Sequence, residues 1–231
     1  MTEFFSGSSF WAIALTLGIW RIAGGLQKKT GSVLLHPILV SVGAIILILI
    51  CSGIPNSAYQ EGMKPFSWLM TPATVCLALP LYEQAKVLKK NLGAICLGVL
   101  CGTVTSLLCV FGLCLLFRLD RTMTVSLLPK SVTTAIGAPV SEALGGLGAV
   151  TVAVIIATGI LGNVLAQTAC RLFRIQDPIA QGAAIGTASH VIGTTKANEM
   201  GAVQGAVSSL SLVIAGILTA FLVPAAARLF L

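Results

Sequence analysis

The sequence predicts an all-α integral membrane protein with roughly seven to eight hydrophobic segments, internal repeats and interrupted helices, a transporter-like plan. Three observations predict it. First, 56% of the 231 residues are hydrophobic and 9% are charged. A soluble domain carries about 25% charged residues, so this chain is too apolar to cover itself in water. Second, the apolar residues gather into runs near the ~20 residues that cross a bilayer, with little chain between them. Third, two polar, glycine-containing words stand inside this apolar text, at residues 130–139 and 186–196.

Taken in order, a first span covers residues 10–26 and ends in Arg21, Lys28 and Lys29, a basic flank of the kind left on the cytoplasmic side. His36-Pro37 opens a second span at residues 38–51; proline fits a first helical turn because its missing N–H has no partner there. Residues 52–55 stop that span, and residues 56–64 read as a polar loop. Pro72 and Pro80 interrupt the next segment, which ends at Tyr82 and Glu83 before a basic cluster of Lys86, Lys89 and Lys90. A long span at 92–117 carries glycines that allow close helix packing. Residues 127–142 form the first interrupted segment, a glycine turn follows at 145–148, and a span runs over 149–173. The second interrupted segment occupies 180–199. A last span over 203–222 is closed by Pro224 and Arg228. The whole chain reads as one membrane domain, with residues 1–30 as an added N-terminal span.

Several function classes are excluded. The net charge of +7 invites a nucleic-acid reading, but the basic residues sit dispersed at span ends, without the stripe or the aromatics such binding needs. They fit membrane orientation and contact with anionic headgroups. Seven cysteines, an odd number, lie mostly within apolar runs with no zinc-ligand spacing, and read as small hydrophobes. No Ser/His/Asp spacing, Walker loop or dinucleotide fingerprint stands out. The chain is expected to be no enzyme, with no catalytic residue, metal or cofactor.

The two polar words are related. Phe117-Arg-Leu119 matches Phe173-Arg-Ile175 at an offset of 56 (173 − 117), and the same offset lays Ile136-Gly137 on Ile192-Gly193. Units of one span plus one interrupted segment cover about 92–142 and 148–199, with a weaker copy at 34–83. Polar, broken helices in repeated units point to a transporter's midplane site. Exposed N–H groups at half-helix N-termini can hold an anion, and a carboxylate is the obvious small one. The candidate substrate-binding residues are Lys130, Ser131, Thr133, Thr134, Thr187, Ser189, His190, Gly193, Thr194 and Lys196, with Thr74 from the upstream copy. Membrane-depth lysines are expensive and functional by default. His190 could carry a coupled proton or hydrogen-bond one helix to another, and Glu142 is the second candidate for coupling. If the interrupted segments cross, the units are parallel; if they turn back, the units are inverted. Basic residues do not decide, because the crossing model splits them almost evenly.

The polar words resemble those of the LrgB/CidB family of bacterial inner-membrane proteins. The resemblance rests on Pro72-Ala-Thr74 with Pro80-Leu-Tyr-Glu83, on Leu128-Pro-Lys-Ser-Val-Thr-Thr134, and on Gly186-Thr-Ala-Ser-His190 with Gly193-Thr194, and covers residues 36–224. Ala135 stands where that family commonly has proline. Thr195-Lys196 replaces Ala-Arg, which keeps the charge but gives up a bidentate guanidinium. The resemblance implies a multi-pass protein of the bacterial inner membrane, working with a small LrgA/CidA holin-like partner. It implies two activities: antiholin-like regulation of murein hydrolases and cell lysis, or transport of small monocarboxylates such as glycolate, glycerate and pyruvate. The polar segments at membrane depth favour transport. Self-association is left open.

Overall fold

In the computed structural model, residues 9–30, 35, 37–69, 72, 75–76 and 78–230 are described. They form ten helices and, among the described residues, no strand. Two compact units divide the chain, Met1–Leu77 and Ala78–Leu231.

The first unit holds α1 (Ser9–Thr30), α2 (Pro37–Ser52) and α3 (Asn56–Trp68). Helix α2 is apolar but short of a full span. Helix α3 corrects the loop expected at 56–64. Extended Pro55 precedes it, Glu61 and Lys64 pair one turn apart at 2.6 Å, and its inner face carries Tyr59, whose hydroxyl lies 2.8 Å from Thr16 Oγ1. Tyr59 also meets Trp11 edge to face at 6.0 Å. The polarity of 56–64 marks an amphipathic helix. His36 and Thr74 lie outside the described residues.

The second unit holds α4 (Ala78–Glu83), α5 (Ala85–Leu116), α6 (Arg121–Leu127), α7 (Thr134–Ala143), α8 (Gly148–Leu172), α9 (Pro178–Met200) and α10 (Ala202–Phe230). Three of these, α5, α8 and α10, are long and apolar enough to cross a membrane. Helices α5 and α10 run parallel: Leu88, Ile95 and Val99 pack with Ala206, Val207 and Ala215, and further along Leu107, Val110 and Cys114 pack with Val223. Helix α10 continues through Pro224 to Phe230, correcting the expected stop. A proline is tolerated inside a membrane helix where neighbours and local adjustment satisfy the freed carbonyl.

The interrupted segments turn back. Helix α9 breaks at His190, whose backbone (φ 43, ψ −143) is non-helical. Ile185 and Ala197, about 18 Å apart along a straight helix, share one apolar cluster with Ala166 and Met200. Against α10, Gly182 meets Gln204 and Gly186 meets Ser208, so the arm at 178–189 runs parallel to α10. Beyond the break, Thr194 bonds Ser208 at 2.8 Å and Asn198 lies on Gly205, so the arm at 191–200 returns antiparallel. The first segment does the same. Leu147 N–H donates to Ser126 Oγ at 2.7 Å, and Thr151 Oγ1 donates to Ser141 Oγ at 2.8 Å, which brings the base of α7 back beside α6. Residues 128–133 form its tip. Gly145 (φ 86) supplies the left-handed residue of the turn into α8, a conformation that costs glycine little.

Two helical hairpins therefore enter from opposite faces. The first hangs from the face holding the end of α5 and Arg118; the second hangs from the face holding the end of α8 and Arg174. Those two helix ends are built alike. Phe117, Arg118 and Leu119 donate to Leu113, Leu115 and Cys114; Phe173, Arg174 and Ile175 donate to Ala169, Arg171 and Cys170, each 56 residues on. Arg118 (φ 52) and Arg174 (φ 55) share the left-handed conformation. Asp120 and Asp177 then cap the hairpins, accepting from Met123 N–H at 2.9 Å and from Ala180 N–H at 2.8 Å. A carboxylate at an N-cap satisfies donors that have no intrahelical partner.

Candidate functional site

The hairpin tips converge on the middle of α8. Ile155 is buried there, its side chain against Gly137 of the first hairpin. Its carbonyl accepts from His190 Nε2 of the second at 2.9 Å. A carbonyl only accepts, so this bond fixes the histidine proton on Nε2. Gly159 and Gly162 of α8 make room for the second tip: a methyl group on either would overlap His190 or Ser189. Asn163 Nδ2 then donates to the Ile192 carbonyl at 2.7 Å and to Thr195 Oγ1 at 2.9 Å. The His190 backbone lies where L residues rarely go, which costs about 1–3 kcal/mol and persists only when surroundings over-determine it. Here Ile155, Gly159 and Thr194, whose Oγ1 bonds the His190 carbonyl at 2.9 Å, do so.

Lys130 occupies the tip of the first hairpin. Its Nζ donates to Ser131 Oγ at 3.1 Å, and Ser131 Oγ lies 3.2 Å from Ser106 Oγ of α5. The lysine borders two cavities, one on each side of the arm at 178–189. One, about 560 Å³, reaches from Asp177 past Gly98 and Gly102 to Lys130, Ser131 and Thr187. The other, about 570 Å³, runs along α8 past Thr158 and Gly162 to Lys130 and Ser189. Apart from the tip, their walls are mostly alanine, glycine and leucine. Beside Lys130 the first turn of α7 opens at Thr133, which is extended and makes no side-chain cap bond. Its N–H groups carry the positive end of the helix dipole, next to an ammonium group.

The expected site residues therefore separate. Lys130, Ser131, Thr187 and Ser189 come together around the cavities. Thr133 and Thr134 start α7 at the tip, half-buried, and line neither cavity. His190, Gly193 and Thr194 are buried behind the tip and line neither cavity. Lys196 does not join Lys130, as the single site over 130–139 and 186–196 required. Because α9 turns back, Lys196 returns to the Arg174 face, where it pairs with Glu199 at 2.8 Å. Glu142 is exposed at the end of α7 on the Arg118 face, far from the tip it would have to serve. Sequence reading missed Ser106 and Thr158, hydroxyls inside long apolar spans. It also missed Gly159 and Gly162, whose spacing along α8 was the available signal.

The comparisons with known proteins identify the family. The model of the LrgB-like family matches residues 16–229, nearly the whole chain. The chain belongs to the LrgB family. Two relatives are each named "Holin-like protein CidB", one from Staphylococcus epidermidis (strain ATCC 35984) and one from Staphylococcus aureus (strain Mu50). Each is 35% identical over 218 residues, which is 94% of this chain and 95% of the relative. No solved structure matches the chain. Membership in the LrgB family, together with three long apolar helices, makes this a multi-pass bacterial membrane protein of the holin-like kind. Two of the polar words that carried the resemblance, at 128–134 and 186–194, fall on the two hairpin tips.

Proposed function

We propose that this LrgB-family protein moves a small monocarboxylate across the membrane, with Lys130 as the charge that meets it at mid-depth. The observation that carries the reading is the meeting of two opposed hairpins at Ile155, with Lys130 bordering both cavities. Such interrupted helices place dipole ends and polar groups at depth, where an anion would otherwise be expensive. The units formed by α5 with the first hairpin and by α8 with the second are then inverted repeats, and rocking one against the other exposes Lys130 alternately. Ser131 and Ser189 bring hydroxyls to the cavities beside the ammonium, and the dipole of α7 adds positive potential there.

Hairpins that turn back also redistribute charge. In the second unit Lys86, Lys89, Lys90, Arg171, Arg174 and Lys196 lie on the Arg174 face, against Arg118, Arg121 and Arg228 on the other. By the bias of basic residues toward the cytoplasm, the Arg174 face is cytoplasmic.

The relatives' name favours a second reading, a holin-like role in controlling cell lysis beside an LrgA/CidA-like partner. The same experiment tests both. Purified protein in liposomes, with and without such a partner, is given labelled glycolate or pyruvate. Saturable uptake lost in Lys130→Ala supports transport. No uptake in either preparation, with altered lysis in cells, supports the holin-like reading.

A further inference from the structure

The turn at His190 that returns Lys196 to the surface also builds a cavity that the transport site does not use. It measures about 580 Å³ and lies at the Arg174 face, between the end of α8, both bases of the second hairpin and the start of α10. Arg171, Arg174 and Lys196 line it with one carboxylate, Glu199, and with the amides of Gln167 and Gln176. Three cations against one anion leave two positive charges. Glu199 is taken by Lys196 at 2.8 Å, and among the described residues neither arginine forms an ion pair.

The wall is held in place. Gln181 Nε2 donates to the Ile175 carbonyl at 2.7 Å, and Gln204 Nε2 donates to Gln181 Oε1 at 3.2 Å. The backbone carrying both arginines is set by the left-handed turn at Arg174, where its N–H donates to the Arg171 carbonyl at 3.1 Å.

The other face provides an internal comparison. The same turn ends α5 at Arg118, yet Phe111, Leu115 and Val140 stand where Gln167, Arg171 and Lys196 stand 56 residues later. The basic, amide-rich lining is therefore not a by-product of ending a helix in this way. Arginine's planar fork matches a carboxylate or phosphate in two-pronged fashion, and amide donors complete such a shell.

We propose that this cavity binds a small anion through a carboxylate or phosphate group, separately from Lys130. That chemistry has two sources, a soluble anion or the headgroup of an anionic lipid. The test uses the full chain in nanodiscs. In phosphatidylcholine alone, calorimetric titration with glycolate and with inorganic phosphate reads the soluble source. In discs containing phosphatidylglycerol, native mass spectrometry counts retained phosphatidylglycerol and reads the lipid source. The proposal expects saturable binding of at least one probe, weakened tenfold or more in Arg171→Gln/Arg174→Gln and unchanged in Arg118→Gln, the matching arginine of the other face. Uptake in liposomes, which decides the transport reading, is read separately, so the two can fail independently. If the double variant loses its thermal transition, Gln167→Glu, which adds a carboxylate while leaving both arginines, takes its place and is expected to weaken binding equally. Binding of all three probes that is absent, or unaltered by these variants, overturns the proposal.

Discussion

His190 Nε2 and the Ile155 carbonyl, 2.9 Å apart, join the tip of the second hairpin to the helix that also carries the first. The bond ties a strained turn to a rigid span, so tether and strain can be separated by substitution. His190→Ala removes the tether and keeps a side chain in the left-handed region. His190→Gly removes the tether but relieves the backbone. Glycine at 190 is expected to be the more stable of the two by about 1 kcal/mol, and both are expected to melt below the native protein. Thermal unfolding in detergent checks the order; alanine above glycine would contradict the strain.

Close approach between α8 and the second tip gives another expectation. Gly162→Ala places a methyl group on Ser189 and is expected to cost about 1–3 kcal/mol. Gly112→Ala meets nothing within 4 Å and is expected to be neutral or slightly stabilising, since alanine is the better helix former. Equal melting temperatures for the two variants would contradict the packing.

The buried pair of Thr194 and Ser208 joins the returning arm to α10 at 2.8 Å. Thr194→Val leaves the Ser208 hydroxyl without that partner and is expected to destabilise by about 1 kcal/mol, within the range for hydrogen bonds between membrane helices. Adding Ser208→Ala is expected to recover part of the loss. A double-mutant cycle with zero coupling would place the two arms elsewhere.

At Lys130 the expected outcome is functional. Lys130→Ala is expected to reduce carboxylate uptake at least tenfold while leaving insertion and melting unchanged. Lys130→Arg is expected to retain part of it. Uptake by the alanine variant equal to that of the native protein would remove the lysine from the mechanism.

Much of this arrangement was legible in the sequence. Glycine and hydroxyl words inside apolar text marked both tips, and the break at His190 falls within the stretch 186–196. The offset of 56 that aligned Phe117-Arg-Leu119 with Phe173-Arg-Ile175 reappears as two helix ends with the same three hydrogen bonds. What the sequence did not carry was the direction of the chain after each break. A crossing segment and a returning one can share one composition, because both must satisfy polar groups at depth. The direction is set by contacts distant along the chain, such as Ile185 with Ala197 and Ser126 with Leu147. Grouping Lys196 with Lys130 followed from their places in two matching polar words, which say nothing of where the chain goes after each break. Helix α3 was missed because its polar outer face hid the inner contacts of Tyr59.

Opposed re-entry is the claim on which the site depends, and labelling tests it most directly. In a background lacking the native cysteines, single cysteines at Gln176, Glu199, Glu142 and Arg121 are exposed to a membrane-impermeant maleimide from each side of oriented vesicles. Positions 176 and 199 are expected to label from one side and positions 121 and 142 from the other. Labelling of 176 and 199 from opposite sides would show that the second segment crosses, and would dissolve the meeting of the tips at Ile155.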